Sequence, residues 1–146
     1  MLHNPTPHII PAGETRELVL LNELNAQYHF IQEEGSTLRL HILCLSDATS
    51  ADEQWQASIT VEQNATNCRT ELYGMGLLHG TQQAHIHTNV LHNIGGGYSS
   101  QLFKFVLDEQ SRGSFRGELK ILPDAQQTEA YQTNRNILLS RQAEML

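Results

Sequence analysis

Short bursts of alternating apolar and polar residues recur along this chain at a nearly constant interval, and that rhythm constrains its fold most. Leu38, Leu40 and Ile42 alternate with Arg39, His41 and Leu43. Ala57, Ile59 and Val61 alternate with Ser58, Thr60 and Glu62, and Ala84, Ile86, Thr88 and Val90 with His85, His87, Asn89 and Leu91. Further bursts cover 17–21, 27–32, 68–78 and 101–108. Side chains on an extended backbone point alternately to its two faces, so a period of two is what a strand with one buried face requires. Helical periodicity is absent except for a trace over 141–146.

The spacing of the bursts carries the next inference. Strands centred near 59, 86 and 118 form one series, and those near 40, 71, 104 and 132 another. Each series advances by roughly 30 residues, the period of a stacked repeat. Two interleaved series mean two strands per turn, wound into a flattened solenoid whose facing sheets share one core. Crossovers between parallel strands are right-handed, so the expected fold is all-β, a right-handed parallel β-helix. An antiparallel sandwich gives the same alternation, but no Asn-Gly or Asp-Gly hairpin turn separates the bursts. Residues 1–13 hold three of the four prolines and read as an extended lead-in; the β-helix domain is expected over 14–146. Loops are expected over 46–52 and at Gly95-Gly96-Gly97.

Charge and composition exclude several classes. With 9 Lys and Arg against 16 Asp and Glu, the net charge of −7 is unsuited to holding a phosphate backbone, and Lys104 and Lys120 are the only lysines. No apolar run is long enough for a membrane helix, and the first residues lack the basic start and apolar stretch of a secretory signal. The expectation is a cytoplasmic chain that binds neither nucleic acid nor membrane, with Cys44 and Cys68 reduced.

Two groups of residues invite chemistry. His79, His85, His87 and His92 fall within fourteen positions, and His85-x-His87 puts two imidazoles on one strand face, a spacing able to chelate a transition metal. Gly80 followed by His85-Ile86-His87 comes near the first motif of cupins, although no glutamate follows among 89–93. His92 lies five residues after His87 and so has the opposite strand parity. The favoured reading makes His85 and His87 ordinary polar residues on an outer sheet face; the alternative is a small cupin-like metal-binding protein or dioxygenase using His85, His87 and His92. Cys44 ends an apolar alternation and Cys68 begins one, so both are expected inside as small hydrophobes rather than as sulfur carriers or cluster ligands. The triple glycine lacks the Lys-Ser/Thr and helix start of a phosphate loop, and no nucleophile elbow, zincin helix or Walker motif occurs.

Residues 113–140 bring a resemblance. Ser114-Phe115-Arg116-Gly117, then Ala125-Gln126-Gln127-Thr128, then Gln132-Thr133-Asn134-Arg135-Asn136-Ile137-Leu138-Leu139-Ser140 resemble the signature of the SufB/SufD family of the SUF iron–sulfur cluster assembly system. The likeness continues through His92 and 99–104, and more weakly back to about residue 18. It is closer to SufD than to SufB. The resemblance implies a β-helix and a non-catalytic scaffold, assembled with a SufB-like scaffold and a SufC-like ABC ATPase on which nascent clusters form. The cluster belongs to the parent complex; this chain alone is expected to bind no cofactor. Phe115, Gly117, Gln126, Thr128, Gln132, Asn134, Asn136, Leu138, Leu139 and Ser140 would fill and ladder the coils. The Cys-Ser-His-Gly motif near the cluster pocket and the helical ATPase-docking region of the family have no counterpart in these residues, so no catalytic residue is carried over and the ATPase is not expected to bind this chain directly. Self-association through unpaired strand edges is expected.

Overall fold

The computed structural model describes residues 6–46 and 52–146, and among them there is no helix. Eleven strands follow one another: β1 (His8–Ile10), β2 (Thr15–Leu21), β3 (Ala26–Gln32), β4 (Thr37–Leu45), β5 (Gln54–Gln63), β6 (Arg69–Leu78), β7 (Gln83–His92), β8 (Tyr98–Leu107), β9 (Arg112–Ile121), β10 (Glu129–Leu138) and β11 (Glu144–Met145). Odd-numbered strands form one sheet in the order β1-β3-β5-β7-β9-β11, and even-numbered strands a second in the order β10-β8-β6-β4-β2. Every pairing is parallel. The chain therefore changes sheet at each connection and returns one strand higher, which is the expected solenoid.

Alternation positions the core. Leu38, Leu40 and Ile42 of β4, Ala57, Ile59 and Val61 of β5, and Ala84, Ile86 and Val90 of β7 all point between the sheets and are buried. Trp55, Phe103 and Phe105 are the largest of the fully buried side chains there. Gly74 and Gly76, one coil below, leave the space the two phenyl rings occupy: a Cβ at Gly74 would lie 2.1 Å from Phe103 Cδ1, and one at Gly76 2.5 Å from Phe105 Cδ1. Cutting Leu40 or Ile59 to alanine would cost about 2–5 kcal/mol, because stacked coils cannot collapse onto a cavity independently.

The ends depart from the sequence reading. The sheet is already present within the expected lead-in, since His8–Ile10 pairs in register with Phe30–Gln32; residues 1–5 are outside the description. The 46–52 loop also falls mostly outside it, on 47–51. Over 141–146 the trace of helical periodicity gives way to a turn and β11, held by Glu144 N–H to Ser111 O and Leu146 N–H to Gly113 O. Two backbone bonds to a formed strand outweigh six residues of weak helical preference, too few to nucleate a helix alone.

Candidate functional site

The residues that carry the family resemblance gather in the coil made by β9, the following turn and β10. Phe115 stacks on Phe103 with ring centroids 4.1 Å apart. Gly117 lies under the Gln132 amide, where a Cβ would come within 2.6 Å of Nε2. In the turn, Gln126 O accepts from Gly96 N–H at 3.0 Å and Thr128 Oγ1 donates to Ala125 O at 3.1 Å. Gln132, Asn134, Asn136 and Leu138 stand in register on Gln101, Phe103, Phe105 and Leu107. Leu139 N–H donates to Leu107 O, while Ser140 Oγ donates to Glu109 O and accepts from Ala143 N–H. Each contact joins one coil to the next, closes a turn or, for Gly117 and Gln132, bridges the two sheets within the coil.

This coil is uncovered on its far side. β10 has a strand partner on one edge, and β11 covers β9 at Arg112 and Gly113 alone. Inward-parity side chains that would be core elsewhere are therefore in contact with solvent: Leu119 is 39% and Ile121 45% exposed, and Gln132, Asn134, Asn136 and Leu138 are exposed as well.

The histidines divide between the two faces of β7. His85 and His87 lie on the outer face, in a shallow groove of about 320 Å³ that also contains Gln27, Gln56, Ser58, Ser114 and Arg116. Their rings have separate partners. His85 Nε2 meets Gln83 Oε1 at 3.2 Å, whereas His87 Nε2 lies 3.6 Å from Glu118 Oε2 on β9. The Arg116 guanidinium shares that wall and bonds Glu118 at 2.7 Å, a positive charge unfavourable to a metal ion. His92 is fully buried between the sheets, so His85, His87 and His92 cannot meet at one ion. Among the described residues no group of three His, Cys, Asp or Glu could hold a metal ion.

Both cysteines are buried and free. Burial pushes the Cys44 thiol up to about 12. Burial also raises the Cys68 thiol, whose Sγ lies 3.3 Å from both Ala65 O and Glu33 O in the turn before β6. Neither is a thiolate near neutrality.

The interior contains a polar spine that the sequence reading missed. Gln32, Gln63 and His92 are register partners at the ends of β3, β5 and β7. Gln32 Nε2 donates to Arg69 O at 3.0 Å, and Gln63 Nε2 to Tyr98 O at 2.9 Å and Thr70 Oγ1 at 2.8 Å. Thr70 Oγ1 donates to Gln32 Oε1, and His92 Nε2 pairs with Ser99 Oγ at 2.8 Å. The amides thereby satisfy carbonyls at the corner where the chain crosses between sheets. The signal was the recurrence of Gln, Gln and His at the coil period.

Outside, charges ladder across strands. Glu17, Arg39 and Glu71 are neighbours on one rung of β2, β4 and β6, and Glu71 also takes the Arg69 guanidinium at 2.7 Å. Burial pulls the Glu71 carboxyl up, but hydrogen bonds from Arg39 and Arg69 outweigh it and leave it below the usual carboxylate value.

Comparison with known proteins agrees with this arrangement. The family model for the SUF system FeS cluster assembly SufBD core domain matches residues 19–146. An iron–sulfur cluster assembly SufBD family protein of Synechocystis is 34% identical over 85 residues, 58% of this chain and 18% of the relative's length. The chain thus matches less than a fifth of that relative. No solved structure gives a significant match. With coils stacked through the residues of the resemblance and a family match across nearly the whole solenoid, the chain belongs to the SufBD core-domain family of the SUF iron–sulfur cluster assembly system.

Proposed function

We propose that this chain is a non-catalytic scaffold module of iron–sulfur cluster assembly, the SufD-like component of a complex with a SufB-like scaffold and a SufC-like ABC ATPase in the cytoplasm. The observation that carries this reading is the family match over 19–146. The geometry is consistent with it: Phe115 and Ser140 contact the preceding coil, and Gly117 and Gln132 meet between the two sheets of their own coil, rather than lining a reaction pocket. A stiff two-sheet solenoid suits the task of holding a partner's reactive groups at fixed separation. The nascent cluster is cargo in this scheme, formed in the complex and passed on to an acceptor protein.

The test is a pull-down of the tagged chain from its native host, with metal analysis of the eluate. The expected result is recovery of a SufB-like subunit, with the ATPase arriving through it. Elution free of SUF components, with stoichiometric metal that disappears in His85→Ala, would reverse the assignment in favour of a metal-binding protein.

A further inference from the structure

The outer face of the even-numbered sheet carries a contrast in how its rungs are made. Toward one end, the Glu17–Arg39–Glu71 rung alternates in sign, with Arg39 bonding Glu71 at 2.6 Å and Glu17 at 3.4 Å. On β8 and β10, by contrast, Lys104 and Arg135 are direct register partners. Like charges on adjacent strands repel, and neither meets a carboxylate among the described residues. Such a pair is costly in a chain of net charge −7, where acidic residues to relieve it are plentiful.

The rung two residues further along is wholly aliphatic. Leu77, Val106 and Ile137 align across β6, β8 and β10. Leu77 and Met75 are each 40% exposed and Ile137 59%. Between the two rungs lies a mainly apolar cleft of about 260 Å³, bounded by Met75, Val106 and Ile137 with Lys104 and Arg135 at its side. A contiguous aliphatic surface beside unpaired charge marks a contact surface rather than ordinary scatter.

We propose that this face docks an acidic amphipathic α-helix of a partner protein. A helix about 10 Å across covers two strand spacings of about 4.8 Å, so one helix seated on β8 reaches both β6 and β10. Lys104 and Val106 are separated by two strand residues, about 6.6 Å, close to the 5.4 Å of a helical turn. A helix whose apolar residues rest on Leu77, Val106 and Ile137 therefore presents, one turn away, a carboxylate to Lys104 and Arg135. The cation pair selects the sign of the partner, and the aliphatic rung supplies the buried area. A lipid surface fits less well: two cations on an acidic chain give little attraction to anionic headgroups. This inference rests on surface chemistry and stands whether or not the scaffold reading does.

The experiment is a methyl NMR titration of the full chain with two synthetic 18-residue helical peptides that share a leucine face and carry either Glu or Lys one turn from it. The expected result is that the Glu peptide shifts the Leu77, Val106 and Ile137 methyls, and that Lys104→Glu/Arg135→Glu, folded by its amide spectrum, binds it at least about tenfold more weakly while gaining affinity for the Lys peptide. Equal binding of the two peptides, or binding of neither, overturns the proposal. So does perturbation of these methyls by phosphatidylcholine–phosphatidylserine vesicles but not by the peptides, or their burial without peptide in a self-associated state, which would give the face to a second copy.

Discussion

Gln63 and His92 are register partners on β5 and β7, and each keeps one buried side-chain atom, Gln63 Oε1 and His92 Nδ1, without a hydrogen-bond partner. Both atoms border the same small space beside Gly97. The pair interrupts a series. Gln32 and Gln63 donate to the carbonyls of Arg69 and Tyr98, and the next carbonyl in that register belongs to Glu129. The amide series stops at position 92, where the imidazole is bonded at Ser99 alone.

The imidazole also makes stability depend on pH. Burial lowers the His92 value below its ordinary one near 6.5, so the native state keeps the ring neutral while the unfolded chain takes up a proton. The stability contribution is complete above about pH 6.5 and is lost as pH falls from there through the folded value, with a slope of up to about 1.4 kcal/mol per unit. Urea midpoints at pH 7.5 and 5.5 should separate more in the wild type than in His92→Gln, which has no proton to gain. Equal separations would show that the ring is not held neutral by the interior.

Gly97 makes the same corner fragile. A Cβ there would lie 2.0 Å from Gln63 Oε1 and 3.2 Å from His92 Nδ1. Gly97→Ala must push the Gln63 amide away from Thr70 Oγ1 and Tyr98 O, leaving buried groups unpaired at a cost of about 2–4 kcal/mol. Thermal unfolding should register this, and adding Gln63→Ala should restore part of the loss, because the two changes share one space. Strictly additive effects would place the clash elsewhere.

Much of this fold was legible because its strands obey one rule. Ala57, Ile59 and Val61 alternate cleanly, and the two interleaved series mark the two sheets without reference to any partner strand. The opposite parity of His87 and His92 likewise placed them on opposite faces, as the structure does. What alternation could not convey is which polar residue points inward. Gln32, Gln63 and Ser99 carry no apolar signal of their own, and register alone brings them together with Thr70 in the interior. The repulsive Lys104–Arg135 pair is hidden for the same reason: 31 positions separate the two in sequence, and pairing alone makes them neighbours. Strands as short as His8–Ile10 and Glu144–Met145 hold too few side chains to show a period at all.

The thiols offer a direct check on interior packing. Cys44 lies in the apolar core, and Cys68 is enclosed by turn carbonyls. Since the thiolate is the reactive form and burial disfavours it at both sites, native protein at pH 8 should leave both cysteines unmodified by a disulfide reagent for hours. Denatured protein should titrate both at once. Rapid labelling of Cys68 in native protein would reopen a sulfur-handling role for that turn.

The uncovered coil has a consequence for solution behaviour. β10 presents an edge with unpaired backbone groups, flanked by the exposed inward-parity residues Asn134, Asn136 and Leu138 and by Leu119 and Ile121 on β9. Parallel edges with apolar side chains beside them invite further strands. The 146-residue chain is therefore expected to self-associate, with sedimentation coefficients that rise with concentration. Asn134→Lys/Asn136→Lys tests the route: both side chains stand over Phe103 and Phe105 on the open side, so the substitutions leave the coil below intact and put like charges where another strand would settle. The variant should sediment as a monomer with unfolding close to that of the wild type. A wild type that stays monomeric at every concentration, or a variant that associates equally well, would mean that this edge is protected by its own twist and polarity.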